Sequence, residues 1–347
     1  MAQTPGPRIL FAPASGPGVG GGHVMRDLTL ATALRMQGAV CGFAAGEMGL
    51  AQIEWYGGFA WPVCLCDSDP QEILEKARLF QAEIVVLDNY ALDATAGNRL
   101  RESGAMVVVV DDLADRAYAC DLLIDPGYGR READYATLVP DGCQLALGPD
   151  YALVRADIAT LAKRPPQPLR ETVERVFVSF GLSDVAAVTA RAVWGLRKLA
   201  PEVEFVVAIA RDTESTRPLQ DLADSDPRVR VYVEARNIGE LMQDADIAVG
   251  AGGSSTWERC AMGLPTLAAI VADNQAEVIG HMAEAGVLLA ADLRHPRFDA
   301  QLAAQFTDLL KLGVRARLSA ASRALCDGQG AARAARAILA RLGAMKA

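Results

Sequence analysis

The feature that most constrains this chain is a rhythm. Short apolar segments alternate with stretches of helical length almost throughout. In the first half, Arg8–Ala12, Glu83–Leu87, Met106–Val110 and Asp121–Ile124 read as strands. Runs with no polar alternation suit parallel strands covered on both faces. Between them, Arg26–Gln37 repeats Leu28, Ala31, Leu34 and Met36 near helical spacing, and Gly38 follows as a C-cap. A second alternating set comprises Val176–Phe180, Phe205–Ile209, Val229–Val233, Ala245–Val249, Pro265–Val271 and Gly286–Leu289. The rhythm breaks near Tyr151, and Lys163–Pro168 then places three prolines in six residues, a composition that suits an exposed linker. The chain's 347 residues exceed what one core usually serves. The expected fold is α/β: two doubly wound parallel-sheet domains facing a central cleft, one over residues 1–155, a linker over 156–172, and a second domain over 173–347.

Composition narrows the function. Hydrophobic residues at 51% and charged residues at 22% describe an ordered globular chain. The polar start Met1–Pro7 and the short run Ile9–Ala12 do not make a signal peptide. No run approaches the roughly 18 to 20 apolar residues of a membrane span, so a cytoplasmic protein without one is expected. A net charge of -9 repels polyanions, and no basic run overcomes it, which argues against nucleic-acid binding. Cys41, Cys64, Cys66, Cys120, Cys143, Cys260 and Cys326 lack metal-ligand spacing and read as small buried hydrophobes. No metal and no cofactor is expected.

The chemistry gathers at strand ends. Ser15–Arg26 (SGPGVGGGHVMR) is a glycine loop between the first strand and the first helix, where backbone can approach a ligand closely. The spacing of Gly18, Gly20, Gly21 and Gly22 does not make a dinucleotide fingerprint. What distinguishes the loop is His23 at the mouth of the helix, where ligands bind in open α/β sheets and an imidazole is disposed to act as a base. His281 and His295 have no such position and read as structural or solvated.

In the second half, Gly250–Glu258 (GAGGSSTWE) follows a strand and opens a helix. Ser254 or Ser255 is the expected N-cap, and the helix start offers N–H groups and dipole charge to a diphosphate. Glu258, one turn on, is either an acceptor for ribose hydroxyls or a solvated glutamate. Ser179–Asp184, with Gly181, and the polar cluster Asp273, Asn274 and Gln275 also fall at strand ends. Asp111–Arg116 reads as a structural turn, since adjacent carboxylates on opposite sides of a strand end supply too few converging oxygens for a hard cation.

Together, Gly20–Arg26, Asp88–Tyr90, Asp111–Arg116, Leu147–Arg155, Ser179–Asp184, Ala251–Arg259 and Asp273–Gln275 run in order across roughly residues 8 to 290 and resemble the PseG family. These are UDP-sugar hydrolases of pseudaminic acid biosynthesis with the GT-B fold, related to the MurG glycosyltransferase. The resemblance implies hydrolysis of a UDP-linked diacetamido-trideoxy sugar with inversion, His23 being the base that activates water. It implies Gly20, Gly22, Arg26, Tyr90, Asn274 and Gln275 near the sugar. Gly181, Gly252, Gly253, Ser254, Ser255 and Glu258 would hold UDP. A monomer is expected, and flagellin or surface polysaccharide is the destination the family suggests. The chain departs from the family at Phe11 and Pro13, where Arg and Asp are usual, and at Leu182, where a second glycine is common. A MurG-like UDP-sugar glycosyltransferase, and beyond it a binding protein without catalysis, remain as alternatives.

Overall fold

The computed structural model describes residues 6–16, 19–58, 60–165 and 168–346. Seven parallel strands form one sheet: β1 (Arg8–Pro13), β2 (Val40–Ala45), β3 (Val63–Leu65), β4 (Ile84–Asp88), β5 (Met106–Val110), β6 (Leu122–Asp125) and β7 (Gln144–Leu147), in the order β3-β2-β1-β4-β5-β6-β7. Six more form a second parallel sheet: β8 (Arg175–Ser179), β9 (Glu204–Ile209), β10 (Val229–Val233), β11 (Ile247–Ala251), β12 (Thr266–Ile270) and β13 (Leu289–Asp292), in the order β10-β9-β8-β11-β12-β13. Each order reverses once, between β1 and β4 and between β8 and β11. That switch point leaves a crevice at the carboxyl ends of the strands, the usual ligand position in open α/β sheets.

The apolar runs become central strands for the reason their composition suggests. All five residues of Met106–Val110 and of Ile84–Asp88 are buried, as helices cover both faces of the sheet. Two strands of the first sheet carry little signal. β2 (VCGFAA) is built from small residues and includes Gly42, where a Cβ would come within 2.8 Å of the Phe80 ring. β7 lies at the sheet edge and is only partly covered.

The chain divides into two compact units, residues 1–156 with 329–347, and residues 157–328. This corrects the expected boundaries at both ends. Ala156–Ala162 is a helix, not linker, with Ile158 fully buried, and a Cβ on Gly239 of the second unit would meet Leu161 and Ile158 at 2.9 and 3.0 Å. The C-terminal helix Gly330–Lys346 belongs to the first unit: Ala334, Ala335 and Ile338 are fully buried in the same core as Val24, Leu28 and Ala31 of the first helix. Its apolar stripe completes that core. Pro166 of the linker segment lies outside the described residues, as does Gly18 of the glycine loop. No helix among the described residues is long and apolar enough to cross a membrane. None of the seven cysteines is joined in a disulfide.

Candidate active site

The first unit's chemistry is assembled at its switch point. β1 ends at Pro13 beside Asp88, the last residue of β4, and the Ala14 N–H donates to the Asp88 carbonyl at 2.7 Å. After the glycine loop the helix Gly22–Arg35 begins, capped by backbone alone at Gly21. His23 and Arg26 lie one turn apart on one helix face and both turn toward Asp88. The His23 Nδ1 stands 2.6 Å from Asp88 Oδ1. Arg26 grips the same carboxylate with both prongs of its fork, Nε to Oδ2 and Nη2 to Oδ1, each at 2.5 Å. Its Nη1 donates to Asp112 Oδ2 at 2.8 Å, and the Tyr90 hydroxyl donates to Asp112 Oδ1 at 2.6 Å. The Tyr90 ring meets His23 edge-on, centroids 4.7 Å apart, and the Arg116 guanidinium sits 5.2 Å from the Tyr90 ring centre.

Burial makes these contacts strong. His23 is 7% exposed and Asp88 is 0% exposed. Burial alone would raise the Asp88 pKa, but the Arg26 guanidinium and His23 overcome it and hold the carboxyl down to about 2. Asp88 is therefore an anion at neutral pH. It orients the imidazole with Nδ1–H donated to the carboxylate, which leaves the lone pair on Nε2, the arrangement of a general base. Beside them lies Asp27, also 0% exposed and without a donor to either oxygen. Burial and the neighbouring Asp88 charge push its pKa well up, against the pull of Arg26. Both influences favour the protonated form of Asp27.

The structure revises several expected roles in this unit. Arg26 is committed to two carboxylates and its Nη2 also lies 3.1 Å from His23 Nδ1, so it acts on the site through Asp88, Asp112 and His23. Asp112, read as part of a turn, joins the His23 network, whereas Asp111 does serve the turn: it is buried and accepts from the Ala114 N–H and the Tyr118 and Tyr135 hydroxyls. Gly20 and Gly22 are exposed at the start of the helix. Phe11 stacks on Phe43 with ring centroids 5.2 Å apart, so position 11 faces the apolar core.

In the second unit the other candidate residues also follow strand ends. Gly181 lies two residues beyond β8, and Gly252, Gly253 and Ser254 lead from β11 into the helix Ser255–Met262. Neither serine caps with its side chain: Ser254 holds the N-cap position in a helical conformation, and Ser255 Oγ accepts from Arg259. The turn is closed by backbone instead: the Thr256 and Trp257 N–H groups donate to the Gly253 and Ser254 carbonyls at 2.9 and 3.1 Å. The loop is packed tightly from behind, since a Cβ on Gly252 would fall 2.5 Å from Ile279 Cγ1. Glu258 is 8% exposed, which removes the solvated alternative. Asn274 and Gln275 occupy a short turn after β12, where Gln275 Oε1 accepts from the Val271 N–H at 2.9 Å. His281 is exposed on its helix, and His295, also exposed, accepts the Arg297 N–H. Among the described residues no group of three or more His, Cys, Asp or Glu side chains is placed to hold a metal.

Set beside known proteins, the chain is 22% identical over 245 residues to the UDP-2,4-diacetamido-2,4,6-trideoxy-beta-L-altropyranose hydrolase of Campylobacter jejuni, covering 69% of this chain and 82% of that one. The chain thus resembles the PseG family. No family model matches it. Among solved structures, Acinetobacter baumannii MurG superimposes with a TM-score of 0.66 over 96% of this chain and 99% of its own, at 14% identity. The UDP-GlcNAc 2-epimerase of Neisseria meningitidis, bound to UDP-GlcNAc, gives 0.64 over 96% and 100%, at 12% identity. The spinosyn rhamnosyltransferase SpnG with thymidine diphosphate gives 0.65 over 95% and 99%, at 18% identity. At these identities the likeness establishes the fold, which is GT-B-like.

Proposed function

We propose that the chain is a UDP-sugar-processing enzyme that hydrolyses a UDP-linked diacetamido-trideoxy sugar to the free sugar and UDP, as its C. jejuni relative is named for doing, in pseudaminic acid biosynthesis. The observation that carries the reading is the His23–Asp88 pair at 2.6 Å, with its nitrogen and oxygen buried. In the proposed reaction His23 Nε2 takes a proton from water as the water oxygen bonds to the anomeric carbon. The bond from that carbon to the diphosphate oxygen breaks, its electron pair leaves with UDP, and the configuration inverts. One base suffices because UDP is already a good leaving group. Tyr90 and Asn274 would contact the sugar, the Gly252–Ser255 turn the diphosphate and Glu258 the ribose. Helix N–H groups would stabilise the charge on the departing phosphate without a metal.

Replacing His23 with Asn keeps size and hydrogen bonding but removes basicity. UDP release from the UDP-sugar, measured without any acceptor, should fall by roughly a hundredfold or more while UDP binding persists. Turnover within a fewfold of the parent would place the base elsewhere. Release from the parent only when a sugar acceptor is added would make the chain a transferase instead.

A further inference from the structure

Arg259 is a large charged side chain behind the Gly250–Ser255 loop that the proposed reaction leaves without a task. It stands in the helix Ser255–Met262 and is 0% exposed. Its guanidinium folds back under the loop. Nη2 donates to the Ala251 carbonyl at 2.7 Å and to Thr256 Oγ1 at 2.9 Å, and Nη1 donates to Ser255 Oγ at 3.0 Å. Glycine at 250 gives it room, because a Cβ there would come 3.0 Å from Nη1 and 2.2 Å from the Ser179 carbonyl. Every one of these acceptors is neutral. Among the described residues no carboxylate forms an ion pair with Arg259, and its buried Nε has no acceptor. Burial lowers its pKa to about 10, so it keeps its charge at neutral pH.

Buried charges are ordinarily paired, since neutral acceptors recover only part of the hydration that is lost. Here the charge lies directly behind the opening turn of a helix, whose dipole adds positive charge of its own. An anion resting on the loop's N–H groups would balance both. We infer that Arg259 is a positioning residue that supplies the buried countercharge for a nucleotide diphosphate on the Gly250–Ser255 loop, acting through the loop and not by touching the ligand. The inference rests on the proposed reading of this loop as the diphosphate cradle. It adds that discrimination between a nucleotide and its nucleoside depends on the charge at position 259.

The test compares Arg259→Gln with Arg259→Lys, which both keep an N–H donor beneath the loop and differ in charge. Calorimetric affinities for UDP, uridine and inorganic pyrophosphate provide the readout. Arg259→Gln should weaken UDP and pyrophosphate by about tenfold to a hundredfold, as expected for losing one charge behind a partly shielded anion, and leave uridine within about threefold. Arg259→Lys should stay within about threefold of the parent for all three ligands. Should Arg259→Gln fail to fold by circular dichroism, Arg259→Met replaces it, keeping length without charge. Equal UDP binding by the parent and the neutral variant, or equal weakening in the Lys and Gln variants, overturns the inference while the cradle stands. A parent that binds UDP no better than uridine would remove the cradle and the inference together.

Discussion

Replacing Asp88 with Asn tests the candidate site most sharply, because one atom carries two separable consequences. The first is stability. Asp88 is fully buried and held at about 2 instead of the ordinary 3.8, a difference worth on the order of 2 kcal/mol of folding stability at neutral pH. Removing one partner of a buried ion pair costs about 3–5 kcal/mol, and Arg26 keeps Asp112, so a loss near the lower end is expected. The sign follows from the depressed pKa: the contribution is present above the unfolded value near 3.8 and lost as pH falls toward about 2. The gap in melting temperature between parent and variant should therefore be full at pH 7 and close below pH 4. The second consequence is catalytic. An amide NH2 facing His23 Nδ1 makes that nitrogen an acceptor, which moves the ring proton to Nε2 and removes the base. UDP release should fall by about 10²–10⁴ in kcat, by the logic of other enzymes whose histidine is oriented by a carboxylate. Because the two residues act as one unit, adding Asp88→Asn to His23→Asn should cost little further activity. A folded Asp88→Asn variant that releases UDP within threefold of the parent, or a double variant whose losses multiply, would refute the pairing as the source of basicity.

Two further outcomes follow from buried groups. Asp27→Asn replaces a carboxyl whose pKa is pushed up by burial with an amide that cannot ionise. A raised pKa means that Asp27's contribution to stability declines as pH rises from the unfolded carboxylate value through the folded one, so the variant should melt above the parent at pH 8 and the gap should shrink toward pH 4. A parent and variant with parallel melting profiles would show Asp27 ionised. Ending the chain at residue 329 removes Ala334, Ala335, Ile338 and Leu342 from the first unit's core. Losing the last two side chains alone costs about 3–6 kcal/mol. Limited proteolysis should then digest residues 6–156 while residues 157–328 resist, and equal protection of both would contradict the division.

How much of this was legible in the sequence depended on whether the signal was local. Met106–Val110 and Ile247–Ala251 announce themselves, because a strand covered on both faces must be apolar at every position. β2 did not, since packing against the Phe80 ring selects small residues that carry no strand signature. The C-terminal helix was not read from the sequence, and even its apolar stripe could not state which of two cores it enters; that is settled by its packing on the first helix, at the other end of the chain.

The site divides in the same way. His23 stood out because a glycine loop and a helix start are neighbours in sequence, whereas Asp88 and Asp112 lie 65 and 89 residues from it and reach it only because β4 pairs with β1 at the switch point and β5 pairs with β4. Arg26 shows the cost of reading a motif by proximity. It is one turn from His23 and therefore reads as a substrate contact, yet its guanidinium is occupied by the two carboxylates it holds. Those bonds explain why a buried arginine is retained there. They lower the Asp88 pKa, keep that residue an anion in an apolar setting, and so fix which nitrogen of His23 carries the proton. An exposed histidine in the same loop would have its reference pKa but no fixed tautomer. The burial that hides Arg26 from solvent is thus the same burial that lets it act on His23.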